Sequence, residues 1–136
     1  MSEENVAIVK KAYECFGRGD VPGILDLLTD DVSWRSPNVE GADFYGAKTG
    51  KSGALAFFQG IGTRESEHEF QPREFFSGGD KVVVLGRWAS KVVDTGKHWE
   101  TEFSHTFTFR DGKISGWHEI FDNLAASRAF QRGASA

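Results

Sequence analysis

Residues 102–122 read Glu102-Phe-Ser-His-Thr-Phe-Thr-Phe-Arg-Asp-Gly-Lys-Ile-Ser-Gly-Trp-His-Glu-Ile-Phe-Asp122, and no other stretch restricts the folding of the chain so tightly. Its alternation predicts two long strands joined by a tight Asp111-Gly112 turn. Strand side chains alternate at a period of two, so Phe103, His105, Phe107 and Phe109 share one face. A histidine set among phenylalanines, with His118, Glu119 and Asp122 on the partner strand, goes beyond what a plain core needs. Aromatic surface around ionisable groups is what a small-molecule pocket with acid–base chemistry requires.

The length of the turn decides which acid faces His105. A two-residue turn pairs Arg110 with Lys113 and puts His118, Ile120 and Asp122 on the face of Phe107. A three-residue loop with Gly112 left-handed pairs Phe109 with Lys113 and sets His105 opposite Trp117. Trp117, Glu119 and Phe121 then line the pocket. A slip of one residue swaps every side chain to the other face, so the two are exclusive except near a bulge. The three-residue loop is preferred, because Trp117 and Phe121 complete an aromatic face with Phe103 and Phe107.

Upstream, Val6, Val9, Tyr13 and Phe16 recur at helical spacing after a Ser2 N-cap and predict a helix over 3–16, stopped by Gly17 and Gly19. Asp20 caps a second, short helix with Pro22 in its first turn. A short strand, 32–36, ends at Pro37. Residues 38–50 read as a Gly-rich loop, and a third helix spans 51–59. Strands are predicted over 67–76, 81–93, 98–110 and 113–121, followed by a short helix over 123–130. Helices first and antiparallel strands afterwards make an α+β domain with helices covering one face of a curved sheet, and the 136 residues suit a single domain.

A net charge of −4 argues against a nucleic-acid surface, which needs a clustered basic footprint. No apolar run approaches the ~20 residues that span a bilayer. The acidic start, Met-Ser-Glu-Glu-Asn, does not read as a secretory signal, and the lone Cys15 cannot form an intramolecular disulfide. A cytoplasmic location is the simplest expectation. Four histidines lack metal-ligand spacing, so no metal is expected. Gly46-Ala-Lys-Thr-Gly50-Lys-Ser52 imitates a phosphate loop, but its glycines stand one residue too close.

His105, with an ordinary pKa near 6.5, is the leading acid–base candidate; the competing reading is a core histidine bonded to its neighbours. Glu119 is expected to orient His105 or act as base, or else to face solvent. Asp122 is a further acid–base candidate that also signals an N-cap for the last helix. Trp34, Trp88, Phe107, Trp117 and Phe121 are candidate walls for a substrate, and Tyr13 could offer it a phenol; plain packing is the competing role for each.

The order of Gly17-Arg-Gly-Asp20, Leu27-Leu-Thr-Asp-Asp-Val32, Ser36-Pro37, Tyr45-Gly46, Phe107-Thr-Phe-Arg-Asp-Gly-Lys-Ile114 and Trp117-His-Glu-Ile-Phe-Asp122 resembles the nuclear transport factor 2-like superfamily, in particular its SnoaL-like and ketosteroid isomerase-like proteins. The resemblance covers nearly the whole chain. It implies a cone-shaped, curved antiparallel sheet wrapped around three N-terminal helices, a cystatin-like α+β barrel with a deep pocket. It implies either cofactor-free isomerase, cyclase, dehydratase or hydrolase chemistry on a small apolar or polycyclic molecule, or a non-catalytic binding domain of the same fold. Where ketosteroid isomerases place two catalytic carboxylates, this chain has Ser36 and His105, and Tyr13 stands one residue out of register with their oxyanion tyrosine. SnoaL-like cyclases keep an acid near the end of the last strand, where Asp122 stands. The resemblance also implies a homodimer formed through the outer face of the sheet.

Overall fold

The computed structural model describes residues 2–132. Helix α1 spans Ser2–Gly17; the capping side chain expected of Ser2 lies outside the described part. Its inward stripe buries Val9, Ala12 and Cys15, with Val6, Tyr13 and Phe16 packed beside them. The helix ends in a Schellman turn. Gly19, at φ +70°, takes the left-handed position, and the N–H groups of Gly19 and Asp20 donate back to the carbonyls of Phe16 and Cys15. Asp20 then caps α2 (Val21–Leu25), its carboxylate accepting from the Gly23 N–H at 2.9 Å.

Strand β1 (Leu28–Arg35) follows, then β2 (Ala47–Thr49), α3 (Gly50–Arg64), β3 (Glu65–Gly78), β4 (Lys81–Val92), β5 (His98–Arg110), β6 (Lys113–Phe121) and α4 (Asn123–Phe130). One sheet runs in the order β2-β1-β6-β5-β4-β3. It is curved and not closed; α1 and α3 pack against its strands, and α2 packs against both of those helices. Bulges in β1, β3 and β6 add the local bend that a flat ladder would lack.

The sheet corrects the expectation in three places. It is mixed rather than antiparallel, because β1 pairs with β6 in parallel. These strands are joined by most of the chain, so no hairpin sets their direction. The loop expected over 38–50 contains β2, which pairs antiparallel with β1. Helix α3 runs five residues past its predicted end at Gln59, because tertiary packing overrides the low helix propensity of Gly60 and Gly62.

Candidate functional site

Every second residue of β4 and β5 points into the curve of the sheet. Val82, Val84 and Trp88 come from β4, and Thr101, Phe103, His105 and Phe107 from β5; all are buried. The β5–β6 turn is the two-residue kind. Arg110 pairs with Lys113, and both Asp111 (φ +52°) and Gly112 (φ +80°) take positive φ. The expected three-residue loop is therefore not the one formed. Yet Trp117, Glu119 and Phe121 still face inward. Between Phe109↔Ile114 and Thr108↔Gly116 the register shifts by one, so Ser115 is an extra residue that returns β6 to the other phase. His105 is set against Glu119, not Trp117.

Apart from Val82 and Val84, these side chains, with Tyr13 and Phe16 from α1, Trp34 from β1, Tyr45, and Phe57 and Phe58 from α3, line a cavity of about 70 Å³. That is several times the ~10–15 Å³ that holds one water. A wider recess lined by Phe16, Gly19, His68 and Pro72 shares Tyr13, Phe16, Phe58 and Phe70 with the cavity. The lining is aromatic almost throughout.

His105 is 5% exposed and has a partner on each nitrogen. Its Nε2 lies 2.8 Å from Oε2 of Glu119 and its Nδ1 lies 2.9 Å from the hydroxyl of Tyr13. With Glu119 ionised, Nε2 carries the proton and donates to the carboxylate, which leaves Nδ1 to accept from the Tyr13 O–H. The ring is stacked on Phe103 at 4.1 Å and meets the edge of Trp117 at 5.0 Å. Burial, and then the charge of Glu119, push the Tyr13 phenol well above its ordinary range.

The other candidates separate cleanly. Trp34, Trp88, Phe107, Trp117 and Phe121 all line the cavity. Asp122 does not: it is exposed, and its carboxylate accepts from the Ala125 N–H at 3.0 Å as the N-cap of α4. His118 is on the outer face, 3.4 Å from Arg35.

A second buried acid was not foreseen. Glu65 is 1% exposed and accepts from the Tyr45 hydroxyl at 2.6 Å, the Trp99 indole N–H at 3.1 Å and the Ser90 hydroxyl. Tyr45 and Trp99 line the cavity, so Glu65 anchors its wall from behind. In Arg64-Glu-Ser-Glu-His-Glu69 it reads as one of several solvated charges, and no local signal marks it. Among the described residues no three His, Cys, Asp or Glu side chains are grouped to hold a metal ion, and no helix is long and apolar enough to cross a membrane.

Comparison with known proteins accords with this architecture. An NTF2-like protein of unknown function from Burkholderia pseudomallei is 31% identical at a TM-score of 0.85, over 96% of this chain and 99% of that one. An NTF2-like protein from Burkholderia xenovorans is 30% identical at a TM-score of 0.84, over 96% and 98%. TerC, co-crystallised with polyporic acid, is 32% identical at a TM-score of 0.81, over 93% and 98%. No curated protein matches the chain in sequence. The SnoaL-like domain model matches residues 9–117. With that match over most of its length, the chain belongs to the SnoaL-like domain family of the NTF2-like superfamily.

Proposed function

We propose that the protein binds a small apolar or polycyclic molecule in the aromatic cavity and performs cofactor-free acid–base chemistry on it, of the isomerase, cyclase, dehydratase or hydrolase type. The Tyr13–His105–Glu119 chain, walled in by aromatic rings, is the observation that carries this reading. The ligand approaches the Tyr13–His105 edge. The Tyr13 hydroxyl turns from Nδ1 to an oxygen of the ligand, and the freed Nδ1 takes a proton from the ligand. Glu119 keeps hold of Nε2–H and faces the imidazolium as it forms, a charge that would be costly in so apolar a chamber without a counterion. Tyr13 stays a phenol, since burial and Glu119 both oppose its ionisation, and so serves as a hydrogen-bond donor rather than a base. The co-crystallisation of TerC with polyporic acid supports a small organic ligand for this fold. Asp122 takes no part in this mechanism.

A second reading, binding without turnover, is favoured by one feature: both nitrogens of His105 already have partners within the protein. Deuterium uptake by 2-tetralone in D2O, followed by NMR, separates the two. The first reading expects the wild type to speed exchange at the carbon beside the carbonyl, and His105→Ala to remove roughly 10²-fold or more of that rate. Wild-type exchange no faster than buffer, with the ketone still bound, leaves only the second.

The expected homodimer would use the outer face of the sheet. There Phe76 and Val83 pair in one row and Leu85, Ser104 and Ile120 in the next, with Phe76 53% and Ile120 58% exposed. Sedimentation equilibrium should give twice the chain mass, and Ile120→Lys should halve it. A buried, unpaired Cys15 suits the cytoplasmic location expected for the protein.

A further inference from the structure

Two carboxyl groups stand at the cavity with no lysine or arginine to match them. Glu119, its side chain 13% exposed, is in the wall, and Glu65, 1% exposed, is behind it. Among the described residues that line the cavity there is no lysine or arginine. Glu65 is satisfied by neutral donors, since it accepts from Tyr45, Ser90 and Trp99 as a carboxylate does. Glu119 is only half satisfied. Its Oε2 lies against Nε2 of His105, while Oε1 has no hydrogen-bond partner among the described residues. The Nε1 atoms of Trp34 and Trp88 also lack partners but are closed off; Oε1 keeps accessible surface.

The surroundings of Glu119 are rings. Trp117 and Phe121 flank it on the inward face of β6, and Trp34 is stacked on Trp117 at 4.3 Å. Its charge is felt at the phenols of both Tyr13 and Tyr45, which enter from different parts of the chain. Aromatic faces carry the negative side of the ring quadrupole and attract a cation within ~6 Å. A hydrocarbon would leave Oε1 unpaired, and an acceptor oxygen beside it would be repelled. A protonated amine supplies a donor to Oε1, a positive charge opposite the carboxylates and a surface for the rings. Much of the carboxylate's hydration was already lost on folding, so the incoming ion bears chiefly its own dehydration.

We infer that the cavity recognises a protonated amine carried on a compact apolar body, with the ammonium set between Oε1 of Glu119 and the surrounding aromatic rings. This rests on reading the cavity as a ligand site. It gives a recognition role to a carboxyl group that also holds His105.

2-Naphthylmethylamine, 2-naphthylmethanol and 2-ethylnaphthalene test this, because they share an outline and end in ammonium, hydroxyl and methyl at neutral pH. Isothermal titration calorimetry should show the ammonium binding about tenfold or more tighter than 2-ethylnaphthalene, a charge-assisted hydrogen bond's worth, with the alcohol between them. Glu119→Gln keeps an oxygen for His105 and removes the charge. It should erase most of the preference and leave 2-ethylnaphthalene affinity unchanged, which a general loosening of the cavity would not do. If that variant fails to fold, the ranking of the three ligands on the wild type decides alone. Ammonium affinity no greater than that of the alcohol or of 2-ethylnaphthalene, or a preference that survives in Glu119→Gln, overturns the inference and leaves the ligand cavity standing. Failure of all three to bind overturns both together.

Discussion

His105 stands directly across the β5–β6 ladder from Glu119, and Ser115 is the reason. The two-residue Asp111-Gly112 turn, continued as a regular ladder, would oppose His105 to His118 and turn Glu119 to solvent. One extra residue in β6 reverses the phase of everything after it. The bulge therefore selects which acid meets the imidazole, and it also brings Trp117 and Phe121 indoors.

Deleting Ser115 should consequently cost far more than altering its side chain. Ser115→Ala loses only the hydroxyl's bond to the Thr108 carbonyl, 3.3 Å long, worth about 0.5–1.5 kcal/mol. The deletion either exposes Trp117 and Phe121 or breaks the turn, and should cost more than ~3 kcal/mol. Urea denaturation of both variants reads the difference. Similar midpoints would mean that the bulge does not hold the register.

Glu65 should prove a structural necessity. Glu65→Leu removes the acceptor shared by Tyr45, Ser90 and Trp99 and strands three buried donors. At about 1–3 kcal/mol for each, the loss should reach at least ~3 kcal/mol. Glu65→Gln, which retains one carbonyl acceptor, should fall between it and the wild type in chemical denaturation. A leucine variant as stable as the wild type would show that the cluster contributes nothing.

The alkaline limit should be set by the two tyrosines. Burial comes first among the causes that raise both phenols, followed by Glu119 at Tyr13 and by Glu65 at Tyr45. A folded-state pKa above the unfolded value means the unfolded chain sheds protons first. The stability these groups contribute is complete below about pH 10, the ordinary tyrosine value, and falls as pH rises beyond it. Since Tyr13 and Tyr45 are the only tyrosines, absorbance at 295 nm should stay flat past pH 10 and then rise in one step with unfolding. Smooth ionisation of either phenol in the folded protein would contradict this.

Gly60→Ala should destabilise despite the better helix propensity of alanine, which is worth about 1 kcal/mol. A β-carbon at residue 60 would overlap the ring of Phe44, itself buried between Tyr45 and Phe130. The expected net loss is about 1–3 kcal/mol, the usual cost of overpacking. A rise in melting temperature would show that Phe44 moves aside freely.

Much of this protein is legible along the chain because its signals are local. Period-two alternation marks β5 and β6, glycines and Asp20 punctuate the first two helices, and Asp122 announces itself as a cap through Asp-Asn before an Ala-rich run. The inward direction of His105 follows from Phe103 and Phe107 on either side of it.

What depended on the fold is where distant pieces meet. The parallel pairing of β1 with β6, the burial of Glu65 behind the cavity wall and the contact of Tyr13 with His105, 92 residues apart, leave no trace in any short window of sequence. The phase of β6 could be read from Trp117 and Phe121, but the bulge that produces it could not, since a bulge costs little locally. Sequence alone specified the strands and the imidazole's side of them, because side-chain direction is a backbone property. Tertiary packing chose the imidazole's partners, because those are set by whichever surfaces close around it.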